Sequence, residues 1–535
     1  MYRRIGAGLL SASLAVISSM GMASAQTLTI GLAAEPTSMD PHFVNLTPNN
    51  SLTQHIFPPL MERDAQSRLM PGLATKWEPV DDTTWRITLR QGVTFSNGEA
   101  FTARDVIYTI CRVPQVPESP SPFTQFTSAI TGMKAESDHV LLVSTKEPTP
   151  LLPANLSNIG ILSASASGGE KQITFNTKGC EGFGKPPVST AFGNPGFAIG
   201  AGPYRLVSFA RGETIKLERN PKYWGTAPKW ETLVFRPLTN AGARVAALLA
   251  GEVDLIENPP TQDLDKINGA GFTISSGLSS RVIFIALDQG PAPTPGIAGD
   301  KNPLQDARVR EALSIAIDRG AIRDRLMRGQ SEPAGQLLPW PLFGAEESRG
   351  AVSFNPDRAR ALLAEAGYPN GFRIVLGGPN DRYVNDGQII QAVAQMWSRV
   401  GVRTEVDAKT FTTFLTDRNA FKYSAYLLGL VVTTGEMSMP LRTLMTTRDA
   451  SRGLGATNYF RYSNPEVDKT LLTALATVDD ARREKLLQKA SALAMDDHGI
   501  IPLHFELSSW ALKPGLKYEP RIDQHTLGFM VTSSN

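Results

Sequence analysis

Only two cysteines and six histidines occur in 535 residues. That is too few for a disulfide-stapled scaffold or an array of zinc-binding modules. Charge of one sign is also missing: 53 lysines and arginines face 51 aspartates and glutamates, a formal net charge of +2. Nucleic-acid binders concentrate basic excess, and its absence here argues against such a partner. With 41% apolar and 19% charged residues, the chain is too apolar to be disordered. After residue 26 no stretch reaches 18 consecutive apolar residues, so no later segment reads as a membrane-spanning helix.

Catalytic and metal-binding signatures are absent as well. There is no G-x-S-x-G elbow, no H-E-x-x-H and no paired C-x-x-C. His42, His55, His139, His498, His504 and His525 have no metal-ligand spacing and read as surface or satisfied core residues. No metal or cofactor is therefore expected. Gly179–Lys185 (GCEGFGK) matches G-x-x-x-x-G-K, but Pro186 stands where a phosphate-binding loop needs Ser or Thr for Mg²⁺. No hydrophobic strand precedes it, so the segment reads as a loop.

What is present begins with an export signal. Arg3 and Arg4 precede an uncharged run from Ile5 to Met22, followed by Ala23-Ser24-Ala25. This reads as a secretory signal peptide, residues 1–25, cleaved after Ala25. The run is about long enough to anchor in a membrane, but its Ser, Gly and Ala make it only mildly hydrophobic. No cysteine follows the site, so a lipoprotein anchor has no attachment point. Removing the two leader arginines leaves 51 basic against 51 acidic residues. Export also puts Cys111 and Cys180 in an oxidising compartment, where a disulfide and two free thiols are both open.

At roughly 150 residues per domain, the length suggests three or four domains. The chain alternates strand and helix signals, as α/β layers require. Thr27–Ala33 alternates as a half-buried strand. Trp85–Leu89 and Val93–Phe95 suggest a hairpin around Arg90-Gln91-Gly92, and Thr102 is placed to cap a helix through Ile110. Asp306 is placed to cap a helix to about Arg328, and Asn355-Pro356 starts one closing at Gly367. A strand at Arg373–Leu376, a helix at Gln388–Arg399 and a strand at Val402–Val406 follow. Ala425–Val432 is an apolar run of the kind that forms a buried strand. Asp480–Met495 then reads as a helix and Ile500–Phe505 as a strand. Pro114–Pro122 and Asp288–Pro303 read as loops. There is no internal repeat and no low-complexity tract.

Several blocks together carry a resemblance. Leu73–Asp105 reads LATKWEPVDDTTWRITLRQGVTFSNGEAFTARD, and Gly200–Trp224 reads GAGPYRLVSFARGETIKLERNPKYW. RVAALLAGEVDL (Arg244–Leu255), DARVREALSIAID (Asp306–Asp318), Asn464–Asp468 and Ile500–Leu503 follow in order. Collinear from about residue 28 to 505, these resemble the family 5 extracellular solute-binding proteins, the peptide, dipeptide and nickel receptors of bacterial ABC importers. Most of the motif content is structural: glycines at 92, 200 and 202 for tight turns, and Trp85, Tyr204, Tyr223 and Trp224 for cores.

The resemblance implies an α/β fold of two lobes around a hinged cleft, the type II binding-protein fold with an extra inserted domain. Lobe I would comprise 27–55, 190–277 and 506–535, the inserted domain 56–189, and lobe II 278–505. It implies a periplasmic monomer that closes on a peptide or peptide-like solute and presents it to an ABC permease, without chemistry. Alternatives are a non-peptide solute (an opine, glycoconjugate or metal chelate), a chaperone or sensor role, or a secreted hydrolase.

Site residues carry over position by position. In Pro379–Asn385, Arg382 stands where dipeptide receptors hold the ligand carboxylate, flanked by Asn380 and Tyr383, between a strand and a helix N-terminus that suits anion capture. At the end of the buried strand the family's "G-W-x-x-D" is here Gly429-Leu430-Val431-Val432-Thr433, so Thr433 replaces the amine-binding Asp. Glu436 is the nearest acid able to substitute. Ala34, Glu35 and Pro36 end the opening strand at the expected cleft edge, and Arg281 lies near a crossing between the lobes.

Overall fold

The computed structural model describes residues 26–533 except 292 and 298. The expected leader lies outside the described residues. The main sheet has strands β1 (Thr27–Leu32), β2 (Tyr204–Ala210), β3 (Thr214–Arg219), β4 (Thr232–Pro237), β5 (Leu255–Glu257) and β6 (Thr273–Leu287). It continues with β7 (Ser331–Pro333), β8 (Arg373–Pro379), β9 (Arg403–Lys409), β10 (Ala425–Val431) and β11 (Ile500–Leu512). The spatial order is β2-β3-β4-β1-β5-β11-β6-β10-β8-β9, with β7 on β11.

Two long antiparallel strands, β6 and β11, tie the halves together. Toward its C-terminal end β11 pairs with β5 (Leu255 opposite Leu512), and nearer its start with β7 (Ser331 opposite Glu506). Between these stretches the β6–β11 register slips: Leu278 faces Leu507, while Val282 faces Phe505. Ser279, Ser280 and Arg281 thus form a bulge opposite Glu506.

In the second lobe, alternate residues of β6 serve different cores. Val282, Phe284 and Ala286 join Tyr426, Leu471 and Leu487 on one face. Ile283, Ile285 and Leu287 join Leu313, Leu376 and Trp397 on the other. A strand covered on both sides needs the continuous apolar run seen in the sequence. In the first lobe, Leu28, Ile30, Leu233 and Phe235 share a core with Trp85, Ile87 and Leu141 of a separate six-stranded sheet and with Tyr108 of the helix Ala103–Arg112. Cys111 and Cys180 are bonded, with Cα atoms 5.8 Å apart, which joins the helix Ala103–Arg112 to that sheet's edge strand.

Three local expectations need correction. The strand Thr84–Leu89 does not hairpin with Val93–Phe95. It pairs on both sides, with Ala74–Asp81 and Val140–Thr145, because Trp85, Ile87 and Leu89 face a core that needs a sheet above it. The helix from Asp306 stops at Ile315. Asp318 then caps a new turn by accepting from Ala321 N–H (2.9 Å), and buried Arg319 fastens the break by donating to the Ser314 and Pro502 carbonyls. The GCEGFGK segment opens with a short strand, Gly179–Glu181. A Cβ on Gly182 or Gly184 would lie 2.0 Å from a carbonyl oxygen of Gln172 or Gly168, so these glycines serve close backbone packing.

Candidate cleft between the lobes

The bulge in β6 opens onto a cavity of about 280 Å³. Asn45, Gln54, Glu62, Arg63 and Tyr223 line one side; Ser280, Arg281, Arg382 and Thr433 line the other, with Asp523 and His525 of the C-terminal segment. A second cavity, about 470 Å³, shares Arg281 and Arg382 and adds Tyr383, Asn385 and Glu506.

Arg382 follows β8 in a loop leading into the helix Asp386–Ser398. Its guanidinium lies 5.3 Å from the Phe411 ring centroid and 5.9 Å from that of Tyr383. Among the described residues it makes no side-chain hydrogen bond or ion pair. Beneath it, the Tyr383 hydroxyl donates to the Gly429 carbonyl (3.1 Å). A Cβ at Gly429 would lie 2.7 Å from the Tyr383 ring, so glycine is required for this packing. The helix N-terminus itself offers less to an anion than the sequence suggested. The Asp386 carboxylate already accepts from the N–H groups of Arg382, Tyr383 and Gly387.

Arg281 is committed: its Nε lies 3.0 Å from Glu506 and its Nη2 donates to Gln524 (3.1 Å). Burial raises the Glu506 pKa and the Arg281 charge opposes it. Asp523 is paired with Arg521 (Nε–Oδ1 2.9 Å). Burial works against its ionisation, but His525 and Arg521 outweigh it and hold its pKa at about 2. Arg63 donates to Ser67 O (2.6 Å), Ser157 Oγ (3.0 Å) and, across the cleft, Thr434 O (3.1 Å). Burial pulls its pKa down to about 10, with Asp523 and Glu436 opposing.

The remaining candidates divide. Thr433 is exposed on the cavity wall. Asn380 donates its N–H to Lys409 O and lies outside both cavities. Leu430 packs on the second-lobe core. Glu35 accepts from Gly212 N–H (2.8 Å) beside Arg211, away from both cavities. Glu436 is not available as a substitute acid: its buried carboxylate is taken by Arg483 Nη1 (2.6 Å) and by the Ser438 hydroxyl. Tyr223, expected in a core, lines the cavity instead.

A family model described as "Bacterial extracellular solute-binding proteins, family 5 Middle" matches residues 68–452. The chain belongs to this family. This solute-binding protein is 26% identical to the periplasmic oligopeptide-binding protein OppA of Salmonella typhimurium, across 95% of this chain and 94% of the relative. It is also 26% identical to the glutathione-binding protein GsiB of Pectobacterium atrosepticum, across 87% and 86%. The unliganded open form of the murein tripeptide binding protein MppA superposes with a TM-score of 0.79 at 23% identity, covering 96% and 98%. The two-lobed fold is thereby established. Among the described residues no helix is long and apolar enough to cross a membrane, and no cluster of His, Cys, Asp and Glu is placed to hold a metal.

Sequence reasoning overlooked Glu62, Arg63, Asp523 and His525. Residues 521–533 carry no strong periodic pattern, and only the fold brings them against residues 45–63.

Proposed function

We propose that this chain is the periplasmic receptor of an ABC importer, capturing a peptide or peptide-like solute and delivering it to the membrane permease. The observation that carries this reading is a cavity built from both sides of the β6–β11 crossing, with the Arg382 guanidinium uncommitted at its wall. The bulge Ser279–Arg281 is where the hinge bends, because backbone there is released from the β6–β11 ladder. That supports lobe I as 27–55, 190–277 and 506–535, an inserted domain at 56–189, and lobe II as 278–505. A solute touching both lobes favours the closed state by the free energy of contacts that only closure makes. No chemical step is needed. Residues 1–25 direct export and are removed, and the receptor acts as a monomer.

The relatives named for oligopeptides and glutathione support a peptide-type ligand. Arg382 suits the carboxylate such ligands carry, through paired charge-assisted hydrogen bonds. The test is native mass spectrometry of the protein purified from its own periplasm. A retained species containing a peptide bond is the expected result. A retained solute without one overturns the peptide assignment, and hydrolysis of a peptide library by the pure protein overturns the receptor reading.

A further inference from the structure

Most charges around the cleft cancel in place. Arg281 is paired with Glu506, and Arg521 with Asp523. Arg63 keeps its charge, but its donors are taken by the neutral oxygens of Ser67, Ser157 and Thr434. On the cavity wall this leaves two charged side chains with no side-chain hydrogen bond or ion pair among the described residues: Arg382 and Glu62.

Glu62 sits on the short strand Met61–Arg63, whose neighbour Met61 is buried in the first-lobe core. Gly72 gives it room: a Cβ there would lie 2.9 Å from Glu62 Cγ. Arg90 and Arg521 favour its charge from a distance without bonding to it. Burial nevertheless works against ionisation and raises its pKa, since a carboxylate withdrawn from water without a hydrogen-bonding partner is costly. A ligand cation entering the cavity would remove that cost.

Resting on the peptide-receptor reading above, we propose that Glu62 is the counter-ion for the ligand's ammonium group. It does from the first-lobe side what the position of Thr433 no longer does from the second. With Arg382 facing the carboxylate, the site then takes a zwitterionic solute, one charged end per side of the cleft. No acid is required in the Gly429–Thr433 stretch.

The test uses the full exported chain and two peptide pools, random tripeptides with free N-termini and the same pool N-acetylated, followed by calorimetry on a retained peptide. Wild type is expected to prefer the free peptide by at least tenfold. Glu62→Gln, nearly isosteric, is expected to weaken the free peptide at least tenfold and leave the acetylated one unchanged, with the preference abolished. If Glu62→Gln binds the free peptide as wild type does, or loses both forms equally, the Glu62 assignment is overturned while the receptor reading stands. If wild type retains no peptide from either pool, the peptide reading and this proposal fall together.

Discussion

Replacing Glu436 separates a structural acid from a ligand-binding one. Its carboxylate meets Arg483 at 2.6 Å, and both side chains are only 7% exposed. Arg483 also reaches Asp480 at 2.7 Å, but that acid is 75% exposed. Burial opposes the Arg483 charge, and Glu436 and Asp480 overcome it, so its pKa is raised. Removing one partner of a buried ion pair costs about 3–5 kcal/mol. The remaining Asp480 contact, like other solvent-exposed pairs, returns at most about 1 kcal/mol. Glu436→Ala should therefore lose about 2–4 kcal/mol. With a urea m-value of about 3 kcal/mol/M, the unfolding midpoint moves down by about 1 M. Adding Arg483→Met should recover part of the loss, because no charge is then stranded. Affinity for the solute retained by wild type should change less than about twofold, since Glu436 faces neither cavity. An unmoved midpoint together with a tenfold loss of affinity would refute this reasoning and restore Glu436 to the site.

Other outcomes follow from the same geometry. Arg382→Ala should lose under about 1 kcal/mol of stability, the scale of an exposed cation–π contact. It should weaken binding about ten- to hundredfold by calorimetry, as lost hydrogen bonds to a charged group would; unchanged affinity would remove Arg382 from the site. Cys111→Ser opens a disulfide spanning a sequence separation of 69 residues, which the chain-entropy account values at about 4 kcal/mol. Chemical denaturation of the oxidised wild type beside the variant measures this. His55, buried and accepting from Gly528 N–H at 2.8 Å, has its pKa lowered to about 4, first by burial. A depressed histidine pKa makes the unfolded state the better proton acceptor. Its contribution is therefore present above pH 6.5 and lost as pH falls toward 4. Relative to His55→Phe, wild-type stability should fall by up to about 1.4 kcal/mol per pH unit within that window, and equal slopes in urea titrations would contradict it.

The fold was legible where the local pattern and the tertiary demand agree. The run Ala425–Val431 is apolar at every position from 425 to 428 because both of its faces are covered. Thr102 caps its helix through a reciprocal box with Asp105, and Asn355-Pro356 opens another. The hairpin error came from reading Gly92 correctly as a turn (φ 74°) while strand pairing is decided by residues far away in sequence. Gly200 and Gly202 were assigned to turns, yet their backbones carry no positive φ. They are small because a Cβ would lie 1.8 Å and 2.5 Å from the Ile56 and His55 carbonyl oxygens. At the cleft, Arg382 and Thr433 could be placed because they occupy positions of a motif. Glu62 could not, because one acid on a three-residue strand gives no signal until the fold shows that no side-chain hydrogen bond or ion pair engages it among the described residues.

With Glu62 and Arg382 in the roles proposed above, charge accounting explains how a neutral receptor would select a zwitterionic solute. With residues 1–25 set aside, 51 cationic side chains balance 51 anionic ones, and the pairs Arg281–Glu506 and Arg521–Asp523 cancel within the cleft itself. Glu62 and Arg382 add one charge of each sign. Arg63, bonded only to neutral oxygens, leaves one excess positive charge; beyond a screening length of about 8 Å a single charge is largely screened, so long-range steering contributes little to encounter. On the proposed assignment, discrimination is made inside the cavity. A solute lacking one charged end leaves Glu62 or Arg382 desolvated without a partner, and an unmade hydrogen bond to a charged group costs more than a made one contributes. That penalty acts after encounter and so appears chiefly as faster dissociation.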